Sequence, residues 1–210
     1  GCIFRTSMDT EVILHLIAVS KKLSFRDRLI DALEQIQGAY AMVLLTADSM
    51  IGARDPLGIR PLILGSLDGA FILASETCAL DIIGAQFVKE VAPGEVVIID
   101  QSGVKSLQPF AHAHPKLCIF EFVYFTRPDS YLQSKHVYDV RKQMGRELAK
   151  REDRSIDVVV AVPDSGVPAA LGFAEQVKKP FDLGIIRNHY MGRTFIEPTD
   201  EIRHLGVKLK

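Results

Sequence analysis

Residues Asp157-Val-Val-Val-Ala-Val162 form an unbroken apolar run, the pattern of a strand covered on both faces. Pro163-Asp164-Ser165-Gly166 then breaks the run. A helix follows with Pro168 in its first turn and Leu171, Phe173, Ala174 and Val177 facing inward, and Phe181 to Ile186 reads as the next strand. Strand, turn, helix, strand predicts a βαβ unit, and hence a parallel α/β sheet with its ligand crevice at the carboxyl ends of the strands. Upstream, Cys118 to Phe125 predicts another strand, while Val137, Val140, Met144 and Leu148 mark the buried stripe of a helix.

The first half of the chain has a different rhythm. Asp9 or Thr10 is placed to cap a helix carrying Val12, Ile13, Leu16 and Ile17 on one face. A second helix opens at Ser24, with Asp27 as its capping-box partner, buries Leu29, Ile30, Leu33 and Ile36, and ends before Gly38. From Tyr40 the period becomes strand-like. Tyr40 to Thr46, Met50 to Ala53, Leu62 to Gly65, Ala70 to Ala74, Phe87 to Val91 and Glu95 to Asp100 are separated by turns such as Asp68-Gly69 and Pro93-Gly94. Helices followed by a meander predict an α+β unit. The Ala, His and Pro stretch at Pro109 to Pro115 reads as the linker, so two domains are expected, 1–112 and 113–210.

With 25 Lys+Arg against 26 Asp+Glu in 210 residues, the chain lacks the clustered positive charge of a nucleic-acid or membrane-surface binder. Its 48% hydrophobic content supports a full core, and its longest apolar stretches fall far short of the ~20 residues of a spanning helix. Cys2, Cys78 and Cys118 form no close pair, which fits reduced thiols in the cytoplasm. Gly1-Cys2-Ile3-Phe4 is no signal peptide, and both ends read as cuts within a longer chain.

At the predicted carboxyl edge, Pro163 to Gly166 offers backbone amides and a helix N-terminus to an anion. A turn of this kind also occurs without a ligand. The segment Arg187-Asn-His-Tyr-Met-Gly-Arg-Thr-Phe195 adds cations at the end of the following strand. It reads either as a solvated basic loop or, from its place on the same edge, as a mobile phosphate-facing lid.

Seven strings in order carry a resemblance that spans nearly the whole chain: Thr6-Ser-Met-Asp-Thr-Glu-Val-Ile13, Arg54-Asp-Pro-Leu-Gly-Ile-Arg-Pro-Leu62 and Ala74-Ser-Glu-Thr77 in the first half, then Cys118-Ile-Phe-Glu-Phe-Val-Tyr-Phe125, Arg127-Pro-Asp-Ser130, Val162-Pro-Asp-Ser-Gly166 and Tyr190-Met-Gly-Arg-Thr-Phe-Ile196. The chain resembles the amidophosphoribosyltransferases. The resemblance implies an N-terminal-nucleophile glutaminase domain with an αββα core, followed by an α/β type I phosphoribosyltransferase domain, both partial. It implies that glutamine yields ammonia, which displaces pyrophosphate from phosphoribosyl pyrophosphate to give 5-phosphoribosylamine, the first step of purine synthesis. A homo-oligomer, dimer or tetramer, is expected, with neither nucleic acid nor membrane as partner.

The same resemblance assigns residues. Asp9 matches the carboxylate that accepts glutamine's α-ammonium, although alone it would read as a helix cap. Asp164, Ser165 and Gly166 match the pyrophosphate loop, with the Ser165 hydroxyl near a substrate-bound Mg²⁺. Arg187, Tyr190 and Arg193 belong to a loop that closes over the substrate and excludes water. Its third position is His189, where arginine is commoner. Cys118 leaves two alternatives open, since some members carry a [4Fe–4S] cluster with a cysteine near this point and others have the cysteine without a cluster. Arg54, Asp55 and Arg60 read as bracing, and Ser75-Glu76 as a helix cap.

Catalysis in the family's glutaminase requires a cysteine whose own α-amine is the base. Cys2 follows Gly1 and does not qualify, so no catalytic residue is assigned within these 210 residues and the piece is expected to be inactive by itself. Two other readings are open. One is a non-catalytic phosphoribosyl pyrophosphate or nucleotide sensor. The other is a different glutamine amidotransferase, against which the Val162 to Gly166 and Tyr190 to Ile196 strings argue.

Overall fold

A computed structural model describes residues 3–111, 113–190, 192 and 194–209. It divides into two compact units, the first ending at Glu121 and the second beginning at Phe122, C-terminal to the Ala, His and Pro stretch.

The first unit is layered. Helices α1 (Glu11–Val19) and α2 (Phe25–Glu34) precede β1 (Ala41–Leu45), β2 (Met50–Arg54), β3 (Ile63–Leu67) and β4 (Ala70–Ala74). Then come the short helix α3 (Thr77–Ile82), β5 (Gln86–Glu90), β6 (Val96–Asp100) and β7 (Gly103–Leu107). One antiparallel sheet has the order β1-β2-β6-β7 and the other β4-β3-β5. Alternation along β6 distributes the core: Val96 and Ile98 pack with Ile13, Ile17, Leu29 and Leu33 of the helices, while Val97 and Ile99 pack with Leu62, Leu73 and Val91 of the second sheet. Two glycines let these layers close. A Cβ on Gly52 would lie 2.8 Å from a methyl of Leu73, and one on Gly65 would lie 2.5 Å from a methyl of Leu80 in α3. The layers therefore run helices, sheet, sheet, helix.

The capping box at α2 forms as expected, Ser24 Oγ accepting from the Asp27 amide at 3.0 Å. The helix itself closes at Glu34, earlier than Gly38, which takes φ +128° in the following loop. The N-cap of α1 is Thr10, and neither it nor Asp9 caps with its side chain. Strand β7 pairs with β6, although the sequence pattern had not marked it.

A one-turn π-helix (Glu121–Phe125) begins at the last residue of the first unit, and in the second it leads to the hairpin β8 (Tyr131–Leu132) and β9 (Lys135–His136). Helices α4 (Val137–Ala149), α5 (Val167–Val177) and α6 (Asp200–Leu209) follow, with β10 (Val159–Val160) and β11 (Phe181–Asp182) on either side of α5. β10 and β11 pair parallel, Val159 opposite Phe181, so the βαβ connection is present.

Three expectations need correction. Cys118 to Phe125 is no strand: the Glu121 amide bonds back to the Cys118 carbonyl at 3.0 Å, and the Arg141 guanidinium donates to the carbonyls of Phe122 (2.6 Å) and Thr126 (2.7 Å), which holds the segment coiled. The run through Val162 is covered on one face only, since Val158, Val160 and Val162 are 46%, 39% and 70% exposed while Val159 and Ala161 are buried. The buried stripe of α4 is Val137, Arg141, Gly145 and Ala149, at a spacing of four, and Leu148 is exposed. This rotation follows from the crossing with α5, where a Cβ on Gly145 would meet the Ala169 carbonyl oxygen at 1.9 Å and one on Gly172 the Lys142 carbonyl oxygen at 2.0 Å. Backbone lies on backbone there.

Candidate functional site

The carboxyl end of β10 runs into Pro163-Asp164-Ser165-Gly166 and then α5, whose N-cap is Gly166. The turn folds tightly on itself: the Gly166 amide donates to the Val162 carbonyl (3.2 Å) and the Val167 amide to the Asp164 carbonyl (3.2 Å). The amides of Asp164 and Ser165 take no such partner among the described residues and lie at the positive end of the α5 dipole. A Cβ on Gly166 would stand 2.6 Å from the Val162 carbonyl oxygen, so only glycine fits the turn as built. The Pro163–Asp164 peptide is cis.

These residues open onto a cleft of about 760 Å³ within the second unit. Asp164, Ser165, Arg187, His189 and Tyr190 line it, together with Tyr124 to Pro128 and Arg141. Arg187 Nη1 lies 3.0 Å from an Asp164 carboxylate oxygen, while its Nε is buried without a hydrogen-bond acceptor among the described residues. Tyr190 is exposed, and Asn188 ties the loop down, accepting from the Tyr190 amide (3.0 Å) and donating to the Leu209 carbonyl (2.8 Å). The expected residues Asp164, Ser165, Arg187 and Tyr190 thus meet at one cleft. Gly166 is not among the lining residues, and Arg193 falls outside the described residues. Thr126, Arg127 and Arg141 share the cleft without having been anticipated. No sequence signal singled out Arg141, one of several charged residues along α4.

Asp9 belongs to the first unit. It is exposed, immediately before α1, and its carboxylate makes no hydrogen bond or ion pair among the described residues. The neighbouring Glu11 carboxylate is occupied. It accepts from the Arg5 amide (2.8 Å), the Thr6 amide (2.8 Å) and the Thr6 hydroxyl (2.6 Å), and the Thr6 hydroxyl bond, followed by the Arg5 amide, holds this carboxyl below its ordinary range.

Bracing by Arg54 and Asp55 is directed at main chain. Arg54 donates to the carbonyls of Arg60 (2.8 Å), Val91 (2.6 Å) and Gly58 (3.0 Å); Asp55 accepts from the amides of Leu57 (3.0 Å) and Tyr40 (3.3 Å). Arg60 pairs with the buried Glu121 at 2.6 Å. In α3, Glu76 is the N-cap without a side-chain capping bond, and its carboxylate accepts instead from the Cys78 thiol at 3.6 Å.

No group of three or more His, Cys, Asp or Glu that could hold a metal is found among the described residues. Cys118, half-buried, brings one thiol, so these residues alone do not build an iron–sulfur site. The cleft offers the Ser165 hydroxyl, a donor set suited to an ion that arrives with its own phosphate oxygens.

A glutamine amidotransferase domain model matches residues 1–81. The amidophosphoribosyltransferase of Rhizobium etli is 54% identical over all of this chain, and that of Bacillus subtilis 44%. Along its whole length the chain is homologous to the amidophosphoribosyltransferases. The soybean chloroplastic amidophosphoribosyltransferase is 53% identical, again over the full chain. This chain spans 37% of the soybean protein, 43% of the R. etli protein and 44% of the B. subtilis protein, less than half of each amidophosphoribosyltransferase. The solved B. subtilis glutamine phosphoribosylpyrophosphate amidotransferase complexed with ADP and GMP superposes with a TM-score of 0.90, covering 98% of this chain and 45% of that one at 44% identity. The fold described above is the fold of that part of the amidophosphoribosyltransferase. No helix among the described residues is long and apolar enough to cross a membrane.

Proposed function

We propose that the protein carrying this sequence is an amidophosphoribosyltransferase. Glutamine is hydrolysed to glutamate and ammonia, and the ammonia nitrogen forms a bond to the anomeric carbon of phosphoribosyl pyrophosphate as the bond to pyrophosphate breaks. The products are 5-phosphoribosylamine, pyrophosphate and a proton. On this reading the first unit is the glutaminase, of the N-terminal-nucleophile class, and the second the type I phosphoribosyltransferase. A cytoplasmic, homo-oligomeric enzyme belongs to the same proposal, although the soybean relative is named as chloroplastic.

The observation that carries the reading is the turn at Asp164 to Gly166. Two amides without partners among the described residues, a helix N-terminus and Arg187 converge there on one cleft, an arrangement suited to a diphosphate leaving group. Asp164 and Ser165 hold the diphosphate through their amides. The buried Nε of Arg187 takes a phosphate oxygen, and Mg²⁺, brought by the substrate near the Ser165 hydroxyl, neutralises phosphate charge. Tyr190 and Arg193 belong to the segment that covers the substrate and keeps water from competing with ammonia. In the first unit Asp9, exposed and without a partner, receives the glutamine α-ammonium.

Gly166→Ala tests the turn. In the full-length protein carrying this sequence, calorimetric titration with magnesium pyrophosphate is expected to show affinity reduced about tenfold or more, because the added methyl must displace the Val162 carbonyl or the turn. Unchanged pyrophosphate affinity would remove the basis of the assignment.

A further inference from the structure

The loop before α1 is tied to a single side chain. Glu11, whose side chain is 13% exposed, accepts three hydrogen bonds from Arg5 and Thr6, while its own amide donates to the Met8 carbonyl at 3.2 Å. The Thr6 hydroxyl in turn accepts from the Met8 amide at 3.3 Å, and the Val12 amide bonds to the Asp9 carbonyl at 3.2 Å. Residues 5 to 9 are thereby drawn into a ring closed on Glu11, with Asp9 at its rim and its carboxylate turned to no partner. His15 Nε2 stands 3.7 Å from the same Glu11 carboxylate, and the Phe4 ring packs edge-on against His15 at 4.8 Å. Elements on both sides of the loop therefore converge on Glu11.

We infer that Glu11 is a positioning residue for glutamine: its clamp on the Arg5 and Thr6 main chain fixes where the Asp9 carboxylate meets the substrate's α-ammonium. The inference rests on the reading of Asp9 given above. A carboxylate accepting two amides and a hydroxyl is geometrically demanding, because both oxygens must reach particular donors. An acid in the first turn of a helix also favours the helix dipole, but any carboxylate there does so whatever its reach. Aspartate separates the two roles. It keeps the charge at position 11 and withdraws the oxygens by one methylene, so it supports the helix and cannot close the ring.

The test is steady-state glutamine hydrolysis by the full-length protein carrying this sequence, with the unaltered protein, Glu11→Asp, Thr6→Val and Asp9→Asn. Glu11→Asp is expected to raise the KM for glutamine about tenfold, within the ~100-fold that a 1 Å misplacement can cause, with kcat changed far less. Amide exchange at Arg5 and Thr6 should quicken in parallel. Thr6→Val removes one of the three bonds to Glu11, together with the Met8 amide's bond to the same hydroxyl, without touching the helix, and is expected to raise KM about threefold. It decides the matter should the Glu11 variant not fold. Glutamine KM and amide exchange both unchanged in Glu11→Asp, or in Thr6→Val where that variant decides, would overturn the inference. If Asp9→Asn leaves KM unaltered, the reading of Asp9 falls and the positioning role falls with it, whatever the exchange rates show for the loop itself.

Discussion

Glu95 shows how one residue can carry a turn. It is 4% exposed between the sheets of the first unit, and burial alone would raise its carboxyl. Hydrogen bonds from Lys89, Ser106 and the Ala92 amide (2.7 Å) outweigh that and hold the group below its ordinary 4.5. A depressed folded value means the stabilisation is fully present above the unfolded value near 4.5 and disappears as pH falls through the folded one. Glu95→Gln is therefore expected to cost about 2 kcal/mol at pH 7, and to flatten the loss of stability on acidification. Denaturant midpoints measured from pH 7 to pH 3 check this. Parallel curves for the two proteins would show that Glu95 contributes nothing specific.

At the scale of elements, the crossing of α4 and α5 is the tightest constraint in the second unit. Neither Gly145 nor Gly172 takes a positive φ; each is small because the opposing carbonyl occupies the place of its Cβ. Gly145→Ala should destabilise the second unit by about 3 kcal/mol or more, since a backbone atom cannot yield as a side-chain end can. An unchanged thermal midpoint for that unit would mean that the helices separate at little cost. The same crossing explains what sequence periodicity missed. The apolar residues Val140, Met144 and Leu148 trace a believable stripe, but the face that is buried contains a glycine and an arginine, which hydrophobicity does not score. The meander of the first unit was legible because its strands alternate and its turns carry Asp-Gly and Pro-Gly. The π-helical turn at Glu121–Phe125 was not, because its aromatic residues are β-formers and the arginine that coils it comes from a helix sixteen residues downstream of Phe125.

Taken whole, the chain joins two units of different architecture, a layered antiparallel pair of sheets and a parallel βαβ. The turn at the cleft in the second unit was readable from chain order, because a strand, a glycine-bearing turn and a helix oblige the turn to lie at the sheet's carboxyl edge, whereas Tyr124 to Pro128 and Arg141 were not. The Asp9 loop was readable only through its likeness to a family. Composition and spacing make Asp9 or Thr10 a helix cap, and in the structure Thr10 holds the N-cap position without a side-chain capping bond. What distinguishes Asp9 chemically is that its neighbours Thr6 and Glu11 satisfy each other and leave it out, a relation carried by geometry and not by residue type.

Among the described residues each unit also contains an arginine hidden from solvent, Arg54 in the first and Arg141 beside the cleft of the second, both 3% exposed and both fastened to main-chain carbonyls. Dicarbonyl reagents attack guanidinium groups that solvent can reach. These two should resist labelling while their surroundings are closed and become adducts once those surroundings open. Peptide mass spectrometry after a short exposure at graded denaturant would thus follow the opening of each unit separately, with no tag or dye attached. Rapid labelling of either arginine in native buffer would contradict the enclosure described for it.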